Sequence, residues 1–196
     1  MVAILGPGGV MAIEEAPYKV VTTDGAFEIR DYAPHIVAET LVEGTLEEAG
    51  STAFTRLFRY ISGGNRSREK VAMTAPVSQQ SKGEKIAMTA PVAQQRVQER
   101  WAVSFMMPAA YTLETLPAPE DPQVTLRQVP ARRIAAVRYS GSWSEKGYLR
   151  HKSELESWMR ANGLAGAGDP QWARYNSPFS LWFLRRNEIL IPVAGN

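Results

Sequence analysis

The sequence predicts an α+β fold: a distorted antiparallel β-barrel built from two similar halves and flanked by two α-helices. Three observations predict it. Short β-rich runs bounded by Gly, Pro, Asn and Asp recur along the chain, as in curled antiparallel sheets. Two amphipathic stretches, each opened by a capping-box signature and closed by glycine, interrupt the strands at matching places. Glu69-Lys-Val-Ala-Met-Thr-Ala-Pro-Val77 returns as Glu84-Lys-Ile-Ala-Met-Thr-Ala-Pro-Val92, with eight of nine positions identical.

The N-terminal residues 1–14 read as a loose arm before a single domain, 15–196, with pseudo-repeats over 15–108 and 109–192. Pro17–Val21 and Ala26–Arg30 flank Asp24-Gly25, a strong hairpin signal. Pro34 leads into a strand over His35–Val42. Thr45-x-x-Glu48 opens the first helix, and Leu46, Ala49, Ala53, Phe54, Leu57, Phe58 and Ile61 form a face of period near 3.6. Gly63-Gly64-Asn65 stops it.

The duplicated segments alternate side chains as strands do, and Ser81-Lys82-Gly83 between them is turn chemistry. They read as a hairpin of twin strands, each stopped by a proline. Paired Met73 and Met88 then either fill a structural hairpin or line a cavity with soft side chains. Trp101–Met107 is a strand, followed by a stiff connection at Pro117, Pro119 and Pro122. Val124–Val129 and Arg133–Tyr139 are further strands. Ser142-x-x-Glu145 opens the second helix, whose stripe runs Tyr148, Leu155, Trp158 and Met159 to a stop at Asn162-Gly163. Trp172–Tyr175 is a strand, and Leu181–Leu184 with Glu188–Ile191 reads as a closing hairpin. Phe54, Phe58, Met73, Met88, Phe105, Met107, Trp158 and Trp182 fall on inward faces.

A net charge of +2, with arginines scattered along the chain, argues against nucleic-acid binding. The absence of cysteine removes disulfides, thiolate catalysis and thioether-linked haem. Residues 1–13 are apolar but too short to span a bilayer. A cytoplasmic monomer is expected, or a periplasmic protein after removal of an N-terminal segment. No Gly-x-Ser-x-Gly elbow, phosphate-cradling loop or zinc-type histidine spacing occurs, so no catalytic residue is assigned. The two histidines, His35 at a strand start and His151 on the second helix's apolar stripe, are the axial candidates if iron is bound.

The pieces, taken in order, carry a resemblance. Phe27–Pro34, Phe54–Asn65, Lys70–Val77, Lys85–Val92, Val103–Pro108, Tyr175–Pro178 and Arg185–Glu188 resemble the signature segments of the SOUL haem-binding proteins. The fold is similar as well to the effector-binding domains of some bacterial transcription regulators. The resemblance implies non-covalent binding of haem, or another porphyrin, in a hydrophobic cleft beside the first helix, in a bacterial-type member acting as carrier or buffer. The cleft residues it points to are Phe54, Leu57, Phe58, Ile61 and Tyr60 on the helix, Met73 and Met88 on the twin strands, and Tyr175. Arg56 and Lys70, with Arg59, would meet the propionates. Asp31 stands where some vertebrate members have a histidine before the motif tyrosine, so axial ligation of that type is not expected. The competing readings are an enzyme, a hydrolase or tetrapyrrole-modifying activity in the same cleft, and a scaffold domain whose cleft its own side chains fill.

Overall fold

The computed structural model describes residues 13–67, 83–177 and 179–194. Its elements run β1 (Glu14–Glu15), β2 (Tyr18–Asp24), β3 (Phe27–Tyr32), β4 (His35–Val42), α1 (Leu46–Ile61), β5 (Asn65–Arg66), β6 (Thr89–Ala90), β7 (Val92–Val97) and β8 (Arg100–Met106). They continue with β9 (Ala118–Pro119), β10 (Thr125–Val129), β11 (Arg132–Tyr139), α2 (Glu145–Ala161), β12 (Gln171–Arg174) and β13 (Asn187–Pro192).

Nine strands form one antiparallel sheet in the order β10-β4-β8-β7-β12-β13-β11-β3-β2. Leaving aside the edge strand β2, the order is pseudosymmetric about the β7–β12 contact, with β8 matching β13, β4 matching β11 and β10 matching β3. Each half contributes a strand, a helix and a hairpin-like pair, and each half's leading strand crosses to the other: β3 lies beside β11, and β10 beside β4. That exchange leaves the halves no seam along which to separate. The α+β barrel-like architecture from two similar halves is thus the observed one, with β10 and β2 as open edges.

Alternation along the strands creates two faces. One carries Ala38, Val103, Phe105, Ala135, Val137, Trp172, Ile189 and Ile191, and both helices pack on it. Helix α1 seats Leu46, Ala49, Ala53, Leu57, Tyr60 and Ile61 against β4 and β8. Its capping box is formed: Thr45 accepts from the Glu48 amide while the Glu48 carboxylate accepts from the Thr45 amide. The opposite face holds a smaller cluster around Tyr32, Ile134, Ala136, Ala173 and Leu190.

Within that second face lies a buried ion pair. Glu188, with no exposed surface, accepts from Arg30 Nη1 at 2.7 Å and Nη2 at 3.1 Å. Arg186 Nε at 3.0 Å and the Tyr175 hydroxyl at 2.9 Å complete its shell. Burial alone would push the Glu188 carboxyl up, but Arg30, then Arg186 and Tyr175, outweigh it and hold it below the ordinary value.

Four expectations need correction. The second motif copy is not the arm of a twin-strand hairpin. Residues 83–88 have no strand structure, and Thr89–Ala90 pairs in parallel with Glu14–Glu15. The reason is local. Asn65 Nδ2 donates to the carbonyls of Tyr60 and Glu84, and the Glu84 amide donates to Asn65 Oδ1, which fastens this segment to the end of α1. Gly83 fits there because a Cβ would lie 1.7 Å from the Gly63 carbonyl oxygen. A cis Ala90–Pro91 peptide separates β6 from β7, and the chain continues as a strand beyond the proline. The first copy, with Lys70 and Met73, lies outside the described residues.

Helix α2 is capped by Ser144, not Ser142: the Gly147 amide donates to Ser144 Oγ at 3.2 Å. Trp182–Leu184 is a 3-10 turn rather than a strand, because β13 finds its partners in β11 and β12. Finally, Phe58, Met88 and Trp182 are not inward: they are 48%, 37% and 59% exposed. Phe105 and Met107 are buried as read.

Arg30→Met leaves Glu188 with one cation fewer in the sheet, and urea denaturation should show a loss of about 3–5 kcal/mol. Because the folded carboxyl titrates below its ordinary 4.5, protons favour the unfolded chain. Stability should therefore fall as pH drops from that value, and the acid limb should be shallower in Glu188→Gln.

Candidate functional site

A groove of about 440 Å³ opens on one side of α1. Gly50, Ser51, Phe54 and Thr55 of the helix form one wall. Met88, Thr89, Ala90 and Val92 of the second motif copy form another, and Trp143 with Arg174–Ser177 closes the back. The surface these residues present to the groove is mostly apolar. Among the described lining residues there is no histidine, aspartate or glutamate. Ser51 spends its hydroxyl on the Glu47 carbonyl, as helical serines commonly do.

Each wall is held by buried polar contacts. Thr89 donates its hydroxyl to the Met106 carbonyl, which pins the motif to β8. Trp143 Nε1 donates to Asn187 Oδ1 at 2.9 Å, and Asn187 Nδ2 donates to the Gly141 carbonyl at 3.1 Å. The Arg185 guanidinium carbon stands 4.5 Å from the Trp143 ring centroid, and that of Arg174 stands 5.2 Å from it. Arg186 covers the Tyr175 ring at 3.7 Å. The Tyr175 hydroxyl is pushed well above its ordinary pKa, by burial and then by the Glu188 charge, so it remains a donor. The stretch Arg185–Glu188 therefore builds the back of the groove from behind.

The structure sorts the sequence-derived residues into four places. Phe54, Met88 and Tyr175 line the groove. Phe58 lies beside it, stacked on Phe54 with ring centroids 5.8 Å apart. Leu57, Tyr60 and Ile61 lie under α1 in the core, with the Tyr60 hydroxyl donating to the Pro117 carbonyl at 2.9 Å. Arg56 turns away, donating to Thr40 Oγ1 at 2.7 Å and pairing with Asp121 at 3.3 Å.

Neither described histidine lines the groove. His35 donates from Nδ1 to the Ala33 carbonyl at 3.0 Å, and burial draws its pKa down. His151 stacks on Tyr139 and has both nitrogens engaged: Nε2 with Arg150 and Nδ1 with Glu154, each at 2.7 Å. Arg150 can only donate, which leaves the ring proton on Nδ1. Asp31 accepts from Arg133 Nε and Nη2 at 2.8 and 2.9 Å on the outer strands.

Sequence reasoning missed Gly50, Gln94, Trp143 and Arg174. Helical periodicity places Gly50 beside the apolar stripe, but nothing local marks the other three, since strand-end and loop residues gain meaning only from their neighbours in space.

A profile described as SOUL heme-binding protein matches residues 13–192. Heme-binding protein 1 of Xenopus tropicalis is 24% identical over 170 residues, covering 83% of this chain and 85% of its own. Heme-binding protein 2 of Homo sapiens is 26% identical over 183 residues, covering 89% and 85%. Among solved structures, the C-terminal domain of EcmrR superposes with a TM-score of 0.53 at 13% identity, over 90% of this chain and 98% of that one. A Listeria innocua protein described as a hydrolase gives 0.54 at 11% identity, over 89% and 94%. Identities that low speak to the fold alone. A match that runs from β1 to the end of β13 does more than that: the chain belongs to the SOUL heme-binding protein family.

Proposed function

We propose that the groove beside α1 binds haem, or a closely related porphyrin, without a covalent bond, and that the protein acts as a carrier or buffer for it. The observation that carries the reading is the apolar groove bounded by Phe54, Met88, Val92 and Trp143. Its size of about 440 Å³ falls in the usual range of small-molecule sites, roughly 300–1,000 Å³. Family membership supports the same ligand class, and the relatives named above are themselves called heme-binding proteins.

The residues fit the macrocycle. Covering roughly 300 Å² of ligand apolar surface contributes about 7.5 kcal/mol at about 25 cal/mol per Å², before association costs. Phe54, backed by Phe58 and tilted against Phe105 at 5.3 Å, offers a flat, rigid wall. The Met88 thioether is the soft donor among the described lining residues. Bound haem would supply an iron centre open to ligand exchange. The chain's own part is to shield the ring, set its orientation and hold it without a strong imidazole bond, which suits release to an acceptor.

Two measurements test this. Hemin added to the purified protein should give a saturable Soret shift at one equivalent, and a response no greater than that of a nonspecific protein would overturn the reading. Phe54→Asp should weaken that binding by about tenfold or more, the cost of placing a charge on the apolar wall. His151→Ala should leave it within about twofold, since His151 lies outside the groove. Leu57→Asp is a poor probe, because Leu57 is fully buried in the core and the change would unfold the helix contact.

A further inference from the structure

The groove contains one group that an apolar ligand does not explain. Arg174, the last residue of β12, lines its back, and among the described residues no carboxylate lies within salt-bridge distance of it. Several other arginines are matched: Arg30 and Arg186 reach Glu188, Arg56 reaches Asp121 and Arg127 reaches Glu39, whereas Arg132, outside the groove, meets the amide oxygen of Gln171. Arg174 makes a single hydrogen bond, from Nη2 to Gln94 Oε1 at 3.1 Å. Its Nε is buried and has no partner.

The surroundings hold this guanidinium in place without neutralising it. Gln94 is fully buried, and its Nε2 donates to the Leu46 carbonyl at 2.7 Å, which fixes its oxygen toward Arg174. Trp143 and Trp172 flank the guanidinium at 5.2 and 5.0 Å. Gly50 makes room for it: a Cβ there would come within 2.9 Å of Arg174 Nη2. Burial draws the pKa down to about 10, against a smaller upward pull from Tyr139, so the group is charged at neutral pH. A half-buried cation with donors unused is costly unless something anionic meets it.

We propose that Arg174 is the anion anchor of the groove, receiving a carboxylate of the bound ligand, so that the site selects flat amphipathic acids over neutral rings of the same shape. The inference rests on the tetrapyrrole reading above and narrows it to carboxylate-bearing members. The guanidinium donors that Gln94 leaves free meet the carboxylate, while Phe54, Met88 and Val92 cover the ring. Gly50 and Gln94 are positioning residues for this contact.

The test uses metal-free protoporphyrin IX and its dimethyl ester, so that iron ligation plays no part. Binding is read by quenching of tryptophan fluorescence in the whole protein. The wild type should bind the diacid about tenfold or more tightly than the diester, the usual effect of a charge-assisted hydrogen bond. Arg174→Met should lower diacid affinity to the diester level while leaving diester affinity within about threefold, and Arg174→Lys should restore part of the difference. Equal binding of both porphyrins by the wild type overturns this inference alone, and needs no variant to fold. A folded Arg174→Met protein that still prefers the diacid by the wild-type margin overturns it too. Binding of neither porphyrin removes the tetrapyrrole reading and this inference with it.

Discussion

Glu188 places a carboxylate with no exposed surface inside a nine-stranded sheet, and that charge imposes conditions on much of the fold. An uncompensated ion there would cost several kcal/mol, so cations must converge on it. Arg30 arrives from β3, two strands away, and Arg186 from the residues before β13. Arg186 also binds Glu15 through Nη1 at 2.9 Å, which ties down β1. Strand β1 in turn pairs with Thr89–Ala90 of the repeated motif. A buried ion pair on one face of the sheet is thereby linked to a wall of the groove on the other, through contacts that each satisfy a polar group. Tyr175 closes the circuit, with its ring in the groove and its hydroxyl on Glu188.

Helix α1 serves two surfaces at once. Its deepest residues, Ala49, Ala53 and Leu57, have no exposed area and pack on β4 and β8. The adjacent strip, Gly50, Ser51, Phe54 and Thr55, is what the groove uses. Two small residues at the head of that strip keep the helix close to the sheet without filling the space beside it. A large side chain at position 50 would displace the guanidinium of Arg174 and close the back of the groove. The same small residue thus permits both close packing and a cavity, two demands that usually conflict in a dense interior.

Periodicity made the elements legible. The strand over His35–Val42, the helix opened by Thr45 and the hairpin at Asp24-Gly25 all follow from local patterns, and each is present, Gly25 with a positive φ of 59°. The two-halves reading was accessible because both helices have start and stop signals. What local pattern misjudged was partnership. The alternation of the second motif copy looks like a strand, but Asn65 and Gly83 bind it to a helix end, and nothing in the motif itself records those contacts. The site was legible in part for the same reason. Phe54 belongs to an apolar stripe and Met88 to a recognisable motif, so both could be named. Leu57 and Ile61 share the stripe yet belong to the core, because a stripe wider than the contact it makes does not say which edge stays open. Arg174 carries no local mark, since its significance lies in the carboxylate it lacks.

That lack is informative when set beside the rest of the molecule. Among the described residues the fold matches Arg30, Arg56, Arg127 and Arg186 with acids, and Arg174 differs from these in facing a groove with only an amide partner. Around Arg174 the chain supplies an amide oxygen and two indole faces instead, enough to hold the cation but not to neutralise it. Such an arrangement sacrifices some stability of the free protein, and sites that do so tend to be sites of function. It also divides the work of recognition. In the proposed binding mode, apolar walls would supply most of the affinity and accept any flat ring of suitable size, whereas a single oriented cation would discriminate by charge. Because such discrimination would act at the ring's periphery and not at its centre, it would operate whether or not iron is present.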